Sequence, residues 1–196
     1  ASAETLQLGG VDDIAGRKQF LEMILEDVNR MDKLITEMLE LSRLESGESP
    51  LDLQDVKPTV LTDAAVLQFS TIIEQSELTL ESSIPPDLPF VRVDVEKMSH
   101  VFANLLSNAI KWTPSGGTIT IKTWLEEKSI YFSVADTGQG IEPEHLPHIF
   151  ERFFKTDSAR SQPGTGLGLS IARHVVSAHG GGISADSDLG VGSEFV

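Results

Sequence analysis

The chain has 196 residues, 40% of them hydrophobic and 23% charged, with a formal net charge of −15; this suits one ordinary domain with an appendage, or two small ones. Such an excess of acid repels phosphate backbones and acidic lipids, which argues against nonspecific nucleic-acid or anionic-membrane binding. The absence of cysteine excludes disulfides, thiolate metal sites and thiol catalysis, and no apolar run approaches the length of a membrane span or forms a signal peptide.

Residues 1–8, ASAETLQL, read as the last turns of a helix, and GGVDD at 9–13 reads as a turn. A proline-free helical pattern then covers residues 14–45. Ile24, Val28, Met31, Ile35 and Met38 follow 4-3-4-3 spacing, a heptad seam. Leu21, Leu25, Leu34 and Leu41 widen the seam into the broad stripe of a bundle helix. Glu26, Arg30, Lys33, Glu37 and Glu40 occupy the opposite face, which reads as a solvated surface. ESGESP at 45–50 reads as a linker.

From residue 51 the composition becomes mixed α and β. Residues 59–76 read as a helix, and LTLESSI at 78–84 alternates like a strand until PPDLP breaks it. Asp94 is placed to cap a helix running to Trp112. TITIKTWL (118–125) and SIYFSVAD (129–136) form an expected antiparallel pair joined through EEK. A helix over 167–179 and two short strands in GGGISADSDLGVGSEFV complete the pattern, which stops within the last strand and reads as a trimmed C-terminus.

The chemistry concentrates on three stretches. In DVEKMSHVFANLLSNAIKW (94–112), Asn104, Asn108 and Lys111 fall at i, i+4 and i+7, on one helix face. Amide oxygens suit a hard cation such as Mg²⁺, and a lysine suits phosphate; an exposed polar stripe would have the same spacing. DTGQGI (136–141) places a carboxylate beside glycines, which lets a flat ring approach the backbone while Asp136 accepts a hydrogen bond; it also fits a common turn after a strand. GTGLGLSI (164–171) opens a helix whose N-terminal amides offer an anion site, although it matches neither the P-loop nor the dinucleotide fingerprint. Between the glycine runs, Ile149, Phe150, Phe153 and Phe154 read as an apolar anchor. Arg152, Lys155 and Arg160, against one acid at Asp157, then make a local positive island.

In order, NLLSNAIKWTPSGG, DTGQGI, FERFF, GTGLGLSI and GVGSEF resemble the N, G1, F, G2 and G3 boxes of sensor histidine kinases. The resemblance covers roughly residues 94–196, and FLEMILEDVNRMDKLITEMLELSRLESGE resembles the second helix of their dimerisation and phosphotransfer hairpin. It implies an α/β (α+β) fold: a two-layer α/β sandwich with a mixed sheet and helices on one face, preceded by a helical-bundle segment. Residues 1–48 would be the partial hairpin and residues 51–196 the ATP-binding catalytic domain.

The implied reaction is transfer of the γ-phosphoryl group of Mg-ATP to a histidine outside this chain, for relay to a response regulator aspartate. The resemblance assigns Asn104 to Mg²⁺, Asn108 and Lys111 to the phosphates, and Trp112 to a place near the nucleotide. Asp136 would bind the adenine amino group, in a pocket shaped by Gly138, Gly140 and Ile141. Lys155 and Arg160 would belong to the ATP lid. Gly164, Gly166 and Gly168 would contact phosphates and permit lid motion, and Thr165, Leu167 and Leu169 would be among the ATP-binding residues, with Ser193 near the adenine. Asn104 and Lys111 are the implied catalytic pair.

None of the five histidines lies in a motif like His-Glu/Asp-x-x-x-Pro, so the chain reads as truncated, without its phosphoacceptor. His145, His148, His174 and His179 have no carboxylate arrangement that makes a metal site. Related ATPases of the gyrase and heat-shock-90 type carry a water-activating glutamate where this chain has Asn104, which leaves hydrolysis without its base. A nonenzymatic nucleotide-binding or dimerisation module is the third reading. Self-association through the hairpin and a cytoplasmic location, with membrane attachment only through absent segments, complete the expectations.

Overall fold

The computed structural model describes residues 14–46, 50–156 and 164–196. The expectations for 1–13, for the middle of the 45–50 linker and for Arg160 with its neighbour Asp157 lie outside these residues.

The first element is α1 (Ile14–Ser46), 33 residues and so about 50 Å long at the usual helical rise. There follow β1 (Gln54–Val56), α2 (Pro58–Gln75), β2 (Thr79–Ser83), β3 (Val91–Val93) and α3 (Val95–Trp112). The chain continues through β4 (Thr118–Glu126), β5 (Ser129–Asp136), a single 3₁₀ turn (Leu146–His148), α4 (Gly168–Ala178), β6 (Ala185–Asp188) and β7 (Gly192–Phe195). The local signals account for the boundaries. Pro58 opens α2, where a missing N–H costs nothing. The Asp94 carboxylate caps α3 by accepting the Lys97 N–H at 3.0 Å. Gly180, at φ +77°, follows the end of α4.

Five strands form the main sheet in the order β2-β4-β5-β7-β6. The β2–β4 pair is parallel and the other pairs are antiparallel, so the sheet is mixed as expected. Its buried face carries Ile119, Ile121 and Val134, against which pack Leu61 and Ile73 from α2, Phe102 and Leu106 from α3, and Ile171 and Val175 from α4. Each such side chain, fully withdrawn from water, contributes about 1.5–3 kcal/mol before chain entropy is counted. This core fixes α3 and α4 side by side and holds the C-terminal end of β5 beside them.

Two features differ from the sequence reading. Strands β1 and β3 form a separate antiparallel ribbon with Gln54 opposite Val93, which the sequence did not announce. The faces of α1 are also reversed from the usual amphipathic order. Val28, Met31, Ile35 and Met38 are exposed, whereas Leu41 is 5% exposed and Leu44 packs on the core of the following fold. The charged face is not simply solvated: Glu26, Arg30, Lys33 and Glu37 line a cavity, and Glu40 Oε1 lies 3.2 Å from His100 Nδ1 on α3.

Candidate functional site

The cavity, of about 980 Å³, lies between α3, the end of β5, the loops on either side of the 3₁₀ turn, the start of α4 and the charged face of α1. Its floor is the polar stripe of α3. Asn104, Asn108, Lys111 and Trp112 all line it, because Leu105, Leu106 and Ala109 are buried and turn the polar positions outward. The Lys111 ammonium stands 4.5 Å from the centroid of the Trp112 ring, a cation–π contact.

Asp136 closes one end. Its Oδ1 accepts the Gly138 N–H at 2.8 Å, and its strand position pairs with Ser193 of β7. Burial pushes the carboxyl above the usual carboxylate range, opposed by the backbone amides of Gly138 and Ser193. Gly140, Ile141 and Ser193 line this end too. Gly140 is required for two reasons: its φ is +69°, and a Cβ there would lie 2.1 Å from the Asp188 carbonyl oxygen. The loop is tied down as the Ile141 N–H donates to Ser187 Oγ at 2.9 Å.

Cations gather at another part of the wall. Lys155 Nζ donates to the Gly164 carbonyl at 3.3 Å, and a Cβ on Gly164 would stand 3.8 Å from Lys111 Nζ. Burial and then the Lys155 charge lower the Lys111 ammonium, while burial and then the Arg30 charge lower Lys155. Gly164, Thr165, Gly166, Gly168 and Leu169 line the cavity beside them. Helix α4 starts here with no side-chain cap, which leaves its first amides open to an anion. Gly168 permits close packing of this helix on α3, since a Cβ there would lie 2.8 Å from Asn104 Oδ1.

Three expectations need correction. Leu167 is 0% exposed and belongs to the hydrophobic core, because the glycine-rich turn folds it inward as α4 begins. Gly138 does not line the main cavity; it faces a smaller side pocket with Trp112 and Thr137, and acts on the main one through its bond to Asp136. Phe153 is not part of the apolar anchor. It is 53% exposed with φ +61°, and its backbone instead lies where a Gly166 side chain would clash, 2.8 Å from a Cβ. Ile149 is buried, and Phe150 and Phe154 pack on the core as expected. The residues the sequence reading missed are those of α1, whose charged face gave no sign of facing another part of the chain. Glu142, Glu144 and His145 also come together on the cavity rim, with donor atoms within 4.8 Å of one another.

A cleft with an acid at one end and lysines beside an uncapped helix start has the form of a nucleotide site. Residues 93–196 match the model of the histidine kinase-, DNA gyrase B- and HSP90-like ATPases. The chain belongs to this family. Residues 1–47 match a second model, the His Kinase A (phospho-acceptor) domain. Among relatives, the adaptive-response sensory kinase SasA of Synechococcus sp. (strain JA-3-3Ab) is 35% identical over 99% of this chain and 52% of its own length. The sensor-like histidine kinase SenX3 of Mycobacterium tuberculosis (strain ATCC 25618 / H37Rv) is 35% identical over 98% of this chain and 47% of its own. The chain thus spans about half the length of these relatives. Full-length ShkA, solved in complex with AMPPNP, superposes with a TM-score of 0.80 at 27% identity, over 93% of this chain and 38% of ShkA. The resemblance to sensor histidine kinases and the α/β sandwich expected from it are both borne out. Within the family, the N-box helix is α3, and the two glycine runs are the loop after β5 and the entry to α4.

Proposed function

We propose that the cavity binds Mg-ATP, and that the chain is the phosphoryl-donor region of a sensor histidine kinase, passing the γ-phosphoryl group to a histidine. The observation that carries this reading is the division of one cavity into a carboxylate end at Asp136 and a cationic wall at Lys111 and Lys155, joined by the amide stripe of α3. Asp136, held by two backbone amides, accepts a hydrogen bond from the adenine amino group, and Gly140 and Ile141 let the ring lie against the backbone. The ammonium groups of Lys111 and Lys155 and the first amides of α4 hold the phosphates. Neutralising charge there and fixing the in-line geometry is most of what a protein contributes to phosphoryl transfer.

The residues present fit a magnesium ion. Asn104 offers an amide oxygen on the cavity floor, and a hard cation takes such an oxygen together with phosphate oxygens and water. Bound there, the ion would supply charge neutralisation for the phosphates; Asn104 would hold it, and Asn108 would face the polyphosphate. AMPPNP in ShkA supports an adenine nucleotide as the ligand. In this reading residues 1–48 form part of the dimerisation hairpin and residues 51–196 the catalytic domain, with a response regulator as the onward partner.

The test is phosphotransfer from γ-labelled Mg-ATP. The 196-residue chain binds ATP without labelling itself, and a longer form with a His-Glu/Asp-x-x-x-Pro motif upstream gains an acid-labile, base-stable label. Asn104→Ala abolishes that label. Rapid ATP turnover by this chain, undiminished by Asn104→Ala, would overturn the kinase reading in favour of a water-activating ATPase.

A further inference from the structure

We infer that Arg30, on the charged face of α1, is an additional polyphosphate-binding residue, supplied to the cavity by the helical segment and not by the ATP-binding fold. The inference rests on the nucleotide reading above and adds to it a residue from a different part of the chain.

Helix α1 is held against the cavity at several points. The Thr165 hydroxyl, at the glycine-rich entry to α4, donates to the Glu37 carboxylate, and Glu37 is well covered, its side chain 13% exposed. One turn further on, Glu40 meets His100, and Leu41 is buried. Arg30 lies seven residues before Glu37, two turns along the same face, at the cavity wall that also holds Lys111 and Lys155.

Its neighbours leave it to that wall. Glu26 and Asp27, at i−4 and i−3, are acids in reach of a helical ion pair, yet among the described residues none forms one with Arg30. Lys33 by contrast pairs with Glu37 at 3.8 Å. Arg30 lines the same cavity as Lys155 and Lys111, beside Glu26, Asp27 and Glu37, and after burial its charge is what lowers Lys155, as the Lys155 charge does for Lys111. In a chain of net charge −15, these three cations lining one cavity are a local exception, and a polyphosphate placed there meets all three. A guanidinium adds what the two ammonium groups lack, a planar fork that grips a phosphate through two parallel hydrogen bonds.

The experiment titrates Mg-ATP and adenosine separately into the 196-residue chain and into Arg30→Ala and Arg30→Lys, with melting curves to show that the variants keep the fold. Arg30→Ala is expected to weaken Mg-ATP about tenfold, in line with the loss of one charge-assisted hydrogen bond, and to leave adenosine unchanged. Arg30→Lys keeps the charge without the fork and loses less. Mg-ATP affinity unchanged in Arg30→Ala would overturn the inference, and so would an equal loss for adenosine and ATP, which would mark a purely structural role. If the parent chain binds neither ligand, the nucleotide reading itself falls, and this inference with it.

Discussion

The Asp94 N–H donates to His179 Nε2 at 2.9 Å, joining the start of α3 to the end of α4 across 85 positions of sequence. The other ring nitrogen, Nδ1, lies 2.7 Å from the Val175 carbonyl oxygen, so the imidazole donates there and accepts from Asp94. Burial pushes the Asp94 carboxyl up, but the amides of Lys97 and Asp52 and the nearby Lys97 charge outweigh it and leave the group below its usual value. His179→Ala strands a buried N–H at this junction and is expected to cost about 1–3 kcal/mol. Urea denaturation at neutral pH measures that loss, and ATP affinity measured alongside should stay within a factor of two or three (roughly 0.5 kcal/mol).

Asp136 is raised by burial, so its ionised form costs the fold stability. The sign follows directly: the stability linked to this group is present below the ordinary carboxylate pKa and is lost as pH rises through the higher folded value. Asp136→Asn therefore melts no lower than the parent at pH 7. The same substitution removes an acceptor needed by the adenine amino group. Mg-ATP at a hundredfold excess over its dissociation constant should stabilise the parent by about 2.7 kcal/mol, roughly 5–10 °C in melting temperature, and Asp136→Asn by far less. An equal shift in both proteins would remove Asp136 from the site.

Gly168 offers a separation of fold from function. Its φ is ordinary, so alanine is welcome at the start of α4, yet the new Cβ would press on Asn104 Oδ1 at 2.8 Å. Gly168→Ala is expected to keep its melting temperature within about 2 °C, corresponding to roughly 0.5–1 kcal/mol, while Mg-ATP binding drops several-fold. A variant that binds Mg-ATP normally would show that the Asn104 position is not critical.

The exposed stripe of α1 predicts assembly. Val28 and Ile35 are each 54% exposed, and with Met31 and Met38 they form a continuous apolar strip of the kind that pairs with another helix. Val28→Asp with Ile35→Asp should render the chain monomeric by sedimentation and leave Mg-ATP affinity intact, since these residues face away from the cavity. Retained self-association would place the contact elsewhere.

The sequence carried the elements whose signals are local. The alternation in TITIKTWL and SIYFSVAD announced the β4–β5 hairpin, and Asp94 announced the start of α3 through its own side chain. The polar stripe of α3 was legible for the same reason, because helical spacing alone puts Asn104, Asn108 and Lys111 together. What was not legible depends on partners distant in sequence. The β1–β3 ribbon has only three residues per strand, too few for a period, and exists because Gln54–Val56 meets Val91–Val93. Leu167 sits among glycines that line the cavity, and only the turn of the chain into α4 sends it to the core. The charged face of α1 misled because charge predicts solvent by default, whereas here it borders a cavity rich in other charges.

That reversal of faces makes α1 behave as an axle. The strip of Val28, Met31, Ile35 and Met38 and the row of Arg30, Lys33 and Glu37 lie on nearly opposite sides of one continuous helix, each residue step turning the side chain by about 100°. Whatever grips the apolar side fixes the azimuth of the charged side, and a twist of the helix by a single residue step carries Arg30 and Glu37 off the cavity together. The angular setting of one helix thus decides which of its side chains reach the cavity, without any change in the fold that forms the rest of the wall.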